Sequence, residues 1–286
     1  MLAYDIRGSG PGLVLLHGIG STATATWRTL VDSLAAEHTI LLADLPGSGR
    51  SPLPDGRLEA STVADQVVAT AQAAGLSDFV IAGPSLGAAV AVKVAARHPD
   101  RVLGLFILAG FARPRTRLWL GLETWAALHA RHDDELGAFL TSASFSEEYL
   151  AARTPEAARH LTARLVADAP GTAQQIAFAL GTDVRGDLPA VTAPTLVVAT
   201  VGDRFVAPEH SVELAEGIPG ARLAAVRGGH AATIEEPGPT LEILTGFLRD
   251  VHRHRPEGPR TAAVLPPAGH VPGHPRVPRP RHPHQR

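Results

Sequence analysis

The chain has 286 residues and a mass of 29.9 kDa, is 45% hydrophobic and carries a formal net charge of −2. That length supports one main domain with a full core, and the charge balance argues against a nucleic-acid-binding surface. There is no cysteine, which excludes disulfides, thiolate metal sites and a thiol nucleophile, so a nucleophile has to be oxygen or nitrogen.

Residues 1–12 lack the basic stretch and apolar core of a secretory signal, and the longest apolar run, 102–112, is far short of the roughly 20 residues that span a bilayer. A cytoplasmic protein with no membrane association is expected. Six short apolar runs follow in chain order, at 13–17, 40–43, 79–82, 102–108, 195–199 and 222–226. Each is nearly all apolar and several end in glycine or aspartate, the pattern of strands covered on both faces of a parallel sheet. Helical patterns at 61–74, 86–97 and 237–251 lie between and after them. The alternation predicts an α/β fold built on a mostly parallel, doubly wound sheet.

Residues 113–188 break the alternation: they hold Trp119, Trp125, Phe139 and Phe145 in helix-like blocks with no convincing strand. They read as a helical cap inserted between two strands, over the strand carboxyl ends where open α/β sheets bind ligands. The core is then 1–112 with 189–251. Residues 252–286 form a separate composition, with nine prolines, six histidines and seven arginines against one acid, a net +6. The body therefore carries 19 basic against 27 acidic residues, a net −8. The tail reads as a disordered, solvated extension, with His252, His254, His282 and His284 as weak nickel ligands in vitro.

The sharpest chemical signal is Gly83-Pro84-Ser85-Leu86-Gly87 between a strand and a helix. A serine at that turn sits in a tight backbone conformation with its hydroxyl exposed, and the flanking glycines leave room for strand and helix. A hydroxyl needs a base, and fourteen histidines compete. Six lie in the tail, while His38, His98, His129, His132, His160 and His210 fall on helices or loop flanks where a solvated role is the default. His17 precedes the serine in Leu16-His17-Gly18. His230 follows the last strand in Gly228-Gly229-His230 and is the better base, because paired glycines let a loop carry an imidazole over the sheet edge. Asp203, in Gly202-Asp203-Arg204-Phe205, follows the strand at 195–199 and supplies the carboxylate; the other acid position, after Leu108, has none. The resulting order Ser85, Asp203, His230 differs from that of the chymotrypsin and subtilisin arrangements.

With these residues in place the chain resembles the α/β-hydrolase superfamily, in particular its small capped members, over residues 4–251. The resemblance rests on the elbow, on His17-Gly18 with Trp27 ten residues on, on Asp44-Leu45-Pro46-Gly47-Ser48-Gly49-Arg50-Ser51, on Gly202-Asp203 with Val206 and Pro208, and on Gly229-His230 with Glu236-Pro237. It implies an oxyanion hole from the N–H groups of Ile19 and Leu86, with His17 structural. The chain departs from the family pattern in starting near the second family strand, in Pro84 before the serine, and in Ala88 where many relatives have glycine.

A serine at position 85 argues against dehalogenase and epoxide hydrolase chemistry, which by the same resemblance uses an aspartate there. The function expected is hydrolysis of a small, largely apolar ester, lactone or thioester through an acyl-enzyme, in a pocket lined by Trp119, Trp125, Phe139, Phe145 and Phe205. The alternatives are carbon–carbon bond hydrolysis, perhydrolysis or a cyclase or lyase step with the same residues, and thirdly a non-catalytic ligand-binding member. No cofactor and no metal are expected: there is no G-K-[ST] and no H-E-x-x-H, and His129 with His132 lacks a third ligand. Nucleic acid is not an expected partner, and nothing in the sequence marks an oligomeric state.

Overall fold

The computed structural model describes residues 1–165 and 169–253. Seven strands, β1 (Tyr4–Arg7), β2 (Gly12–Leu15), β3 (Thr39–Ala43), β4 (Phe79–Pro84), β5 (Val102–Leu108), β6 (Thr195–Thr200) and β7 (Arg222–Val226), form one sheet in the order β1-β3-β2-β4-β5-β6-β7. Every pairing is parallel except that of β1 with β3. The helices are α1 (Ala23–Trp27), α2 (Val31–Ala35), α3 (Ala60–Ala73), α4 (Leu86–Arg97), α5 (Thr116–Ala130), α6 (Leu136–Ser144), α7 (Glu147–Ala151), α8 (Pro155–Leu165), α9 (Thr172–Gly181), α10 (Glu209–Gly217), α11 (Ala232–Glu235) and α12 (Pro237–Arg253). No helix of the described residues is long and apolar enough to cross a membrane.

Successive strand side chains point to opposite faces, and because the central strands are apolar at nearly every position they feed two cores. Val14, Leu41, Ile81, Leu105, Ile107 and Val197 pack with α3, α4 and α10 on one face. Leu13, Ile40, Val80, Phe106, Leu196 and Val198 pack with α1, α2 and α12 on the other, where the rings of Phe106 and Phe247 lie 6.0 Å apart. The sheet is thus doubly wound.

The topology also selects a place for chemistry. From β2 the chain moves outward to β3 and then crosses back to β4 on the other side of β2. The crevice beyond the carboxyl ends of β2 and β4 is the switch point of such a sheet. The turns carrying His17 and Ser85 leave from there, and β6 and β7 send Asp203 and His230 toward the same edge.

Some expectations needed adjustment. β1 was not among the apolar runs: it is short, only partly apolar, and is fixed by pairing with β3 more than by its own pattern. β7 is an edge strand with Leu223 48% exposed, not a strand covered on both faces. His38 and His210 are buried, at 6% and 2% exposure, where a solvated role was expected. His210 accepts from Arg115 N–H at Nε2 and donates from Nδ1 to Ala207 O, and burial lowers its pKa. His132 lies past the end of α5 with φ 51°. α12 continues through His252 to Arg253, two residues beyond the expected end, and the His252 ring lies tilted at 5.4 Å from that of His38. From residue 254 onward the expected tail lies outside the described residues.

Candidate active site

Ser85 stands between β4 and α4 with φ 54° and ψ −125°, a conformation that L-residues rarely adopt and that costs of order 1–3 kcal/mol. The turn exists because glycines flank it. A Cβ on Gly83 would lie 2.3 Å from Gly87 O, and one on Gly87 would lie 2.6 Å from His17 O. Strand, helix and the β2 loop therefore close to backbone contact around the serine. Ser85 is 6% exposed, and its hydroxyl faces Gly18, whose added Cβ would sit 3.7 Å from Ser85 Oγ. Leu86 is the first residue of α4, so its N–H has no helical carbonyl to bond and the positive end of the helix lies at the serine.

Asp203 follows β6 with its side chain fully buried. Its Oδ1 accepts from the N–H groups of Phe205 and Val206, both at 2.8 Å, and its Oδ2 from Thr200 Oγ1 at 3.0 Å and His230 Nδ1 at 2.7 Å. A buried carboxylate with these four donors on its two oxygens is held in one orientation. It accepts the hydrogen bond donated by His230 Nδ1–H, which leaves Nε2 as the ring nitrogen that carries no proton in that tautomer. Phe205 meets the imidazole edge-on at 5.5 Å.

His17 is fully buried and neutral, with its pKa lowered to about 4 mainly by desolvation and partly offset by its bond to Gly18. Nδ1 donates to Gly18 O at 2.7 Å and Nε2 accepts from Leu45 N–H at 2.8 Å. It ties the β2 loop to the β3 loop, and Trp27 Nε1 donating to Leu16 O at 2.5 Å anchors the same loop from α1. In α9, Gln175 is 1% exposed; its Oε1 accepts from Gly20 N–H and its Nε2 donates to Pro46 O and Ser48 Oγ, all at 2.9 Å.

Ser85 and His230 open on one cavity of about 450 Å³. Ile19, Trp125, Phe145 and Phe205 line it, together with Leu108, Leu140, Leu161 and Ile234. Trp125 and Phe205 form a continuous wall, their rings 6.0 Å apart. Two expected lining residues are absent from it. α5 turns Leu118, Leu122 and Trp125 inward at helical spacing, which puts Trp119 on the outer face at 41% exposure. Phe139 of α6 packs half-buried against the core, while Leu140, the next residue, reaches the cavity. Leu86 does not line the cavity with its side chain, which is buried in the core; only its backbone N–H concerns the site.

Sequence reasoning missed four contributors. Gln175 and Glu235 hold the site through hydrogen bonds to distant segments, at Gly20 and Ser146, which no local pattern marks, and Thr200 bonds Asp203 from three residues upstream. Arg28 lines the cavity; it follows Trp27 directly, and only the orientation of α1 tells it from a surface arginine. Among the described lining residues there is no carboxylate, and Arg28 and His230 are the basic side chains.

The family profile described as alpha/beta hydrolase fold matches residues 11–237. The chain is 34% identical to a pimeloyl-[acyl-carrier protein] methyl ester esterase of Stenotrophomonas maltophilia over 258 residues, covering 85% of this chain and 95% of that one. It is 30% identical to the pyrrolizixenacetamide deacetylase of Xenorhabdus hominickii over 250 residues, 86% of this chain and 94% of the relative. Among solved structures, a thermophilic esterase from Thermogutta terrifontis superposes with a TM-score of 0.75 at 26% identity, covering 88% of this chain and 94% of that one. The chain belongs to the alpha/beta hydrolase family and is a hydrolase.

Proposed function

We propose that the protein is a serine hydrolase that cleaves small esters through an acyl-enzyme on Ser85, with His230 as general base, Asp203 as its orienting carboxylate, and α5 to α9 as a cap over the site. The observation that carries this reading is the juxtaposition of a strained, glycine-flanked Ser85 and an Asp203-bound His230 at one cavity.

In the first half-reaction His230 Nε2 takes the Ser85 Oγ proton as Oγ attacks the substrate carbonyl, and the tetrahedral oxyanion is held by the N–H groups of Leu86 and Ile19. Gly20 N–H is already taken by Gln175, which supports Ile19 as the loop donor. Each such donor contributes about 3–4 kcal/mol to the transition state. Collapse breaks the ester bond, and the imidazolium gives its proton to the leaving alkoxide. In the second half His230 deprotonates a water that attacks the acyl carbonyl, and the proton returns to Ser85 as the acid leaves. The apolar walls suit an acyl chain, and Arg28 with no acidic neighbour in the lining suits an acyl group ending in an anion.

The test is hydrolysis of p-nitrophenyl acetate, butyrate and octanoate by wild type and Ser85→Ala. Turnover by wild type that falls to background in the variant is expected, with the preferred chain length reporting the depth of the cavity; a variant with wild-type turnover overturns the assignment.

A further inference from the structure

His230 is carried on a glycine loop, Gly228-Gly229-His230, and that loop is tied down at both neighbours of the histidine. Ala231 N–H donates to Ser144 O at 2.9 Å, and Gly229 N–H donates to Glu235 Oε1 at 2.9 Å. The same Glu235 carboxylate accepts from Ser146 N–H at 3.2 Å and from Ser146 Oγ at 2.6 Å. Ser146 is buried and its Oγ also caps α7 by accepting from Tyr149 N–H at 3.1 Å. Between Ser144 and Ser146 lies Phe145, 1% exposed, whose ring is a wall of the cavity. The packing leaves no slack: a Cβ on Gly229 would fall 2.6 Å from Ser146 N and 2.8 Å from Glu235 Oε1. On the other side, Gly202 N–H donates to Gly228 O at 2.8 Å, beside Asp203.

We propose that Glu235 is a positioning residue that locks the His230 loop to the linker between α6 and α7, so that the imidazole and the Phe145 wall of the cavity are held in one geometry. This rests on the reading of His230 as the base. A carboxylate suits the place because three donors converge there and none of them can accept, except the Ser146 hydroxyl. Without it, Gly229 N–H and Ser146 N–H lose their acceptor in a poorly hydrated pocket, and a glycine loop with φ 94° at Gly228 regains its freedom. The imidazole then samples positions off the serine. A displacement of the order of 1 Å costs about a hundredfold in rate.

The side-chain amide of Gln can keep the geometry: its oxygen takes the two N–H groups, and its NH2 donates to Ser146 Oγ, whose hydroxyl turns to accept. Glu235→Gln is therefore expected to retain kcat within a few-fold. Glu235→Ala is expected to lose kcat by about 10- to 100-fold with the KM for p-nitrophenyl acetate little changed, because an acetyl group is too small to depend on the Phe145 wall. Ser146→Ala removes one of the ties and should fall between them; it serves as the test should Glu235→Ala fail to fold. Proton NMR reads the same claim without turnover: the low-field Nδ1 proton of His230, shared with Asp203, is expected to be sharp in wild type and Glu235→Gln and broadened by exchange with water in Glu235→Ala and Ser146→Ala. An unchanged resonance with unchanged kcat in folded Glu235→Ala or Ser146→Ala overturns the proposal, as does a Gln variant as impaired as Ala. A wild type that keeps the resonance but hydrolyses no ester counts against the hydrolase reading alone and leaves the positioning claim standing.

Discussion

Asp203 Oδ2 accepts a 2.7 Å hydrogen bond from His230 Nδ1, and the remaining acceptor sites of that carboxylate are filled by Thr200 Oγ1 and the N–H groups of Phe205 and Val206. The carboxylate cannot rotate without breaking three other bonds, so it fixes both the ring plane and the tautomer. Asp203→Asn keeps the shape but presents an NH2 group where an acceptor is needed, which favours the tautomer with its proton on Nε2. Its kcat for p-nitrophenyl butyrate is expected to drop by roughly 10³- to 10⁴-fold with KM nearly unchanged. A loss of less than tenfold would mean that His230 does not depend on Asp203.

Gln175 performs a comparable service for the β2 loop from within α9. Replacing it with Ala leaves Gly20 N–H, Pro46 O and Ser48 Oγ without a partner in a buried place, at a cost of about 1–3 kcal/mol in stability. The loop that carries Ile19 also loosens, so kcat is expected to fall by about tenfold or more while labelling of Ser85 by a small phosphonate slows in parallel. Urea unfolding alongside steady-state kinetics checks both; stability loss with unchanged kcat would confine Gln175 to a structural role.

The strand periods and the strained serine turn were legible in the sequence because each depends on residues close together in the chain. Six of the seven strands could be read from apolar runs, β2 to β6 because strands covered on both faces advertise themselves and the edge strand β7 from its apolar residues alone; β1 could not, because its place is set by its partner strand. The aromatic lining was legible in type but not in direction. Trp119 and Trp125 are equally apolar in sequence, and only the packing of α5 on α9 and Phe205 decides which of them faces inward. Glu235 and Gln175 went unseen because polar side chains that bridge remote segments leave no periodic trace, and Arg28 because its direction is set by the orientation of α1. The motif reading reached Glu236, one residue away from the carboxylate that bonds the histidine loop.

Arg28 makes a prediction about substrate preference. Wild type is expected to favour mono-p-nitrophenyl adipate over p-nitrophenyl hexanoate in kcat/KM. Arg28→Gln should erase about fivefold of that preference, the size of an exposed ion pair, and leave the neutral ester unaffected. The advantage should also shrink in high salt. Equal loss on both esters would assign Arg28 to packing and not to charge.

Stability should fall on acidification through His17. Its pKa is about 4 in the folded chain against 6.5 when solvated, so above pH 6.5 neither state is charged and below pH 4 both are. Between these values the unfolded chain binds a proton that the folded chain refuses, and stability is lost as pH falls across that window by about 3 kcal/mol in total. His210, also lowered by burial, acts in the same direction. Urea unfolding at several pH values between 7.5 and 4.5 checks this, and the slope should be smaller in His17→Asn, if less stable overall. A pH-independent unfolding free energy in wild type would contradict the buried neutral state of His17.

The most direct test of the central claim is intact-protein and peptide mass spectrometry after treatment with a serine-directed phosphonate. One covalent adduct is predicted, mapped to Ser85, absent from Ser85→Ala, and formed much more slowly in His230→Ala because Oγ then lacks its base. An adduct on another residue, or a folded wild type that turns over p-nitrophenyl butyrate while Ser85 remains unmodified, would contradict Ser85 as the nucleophile.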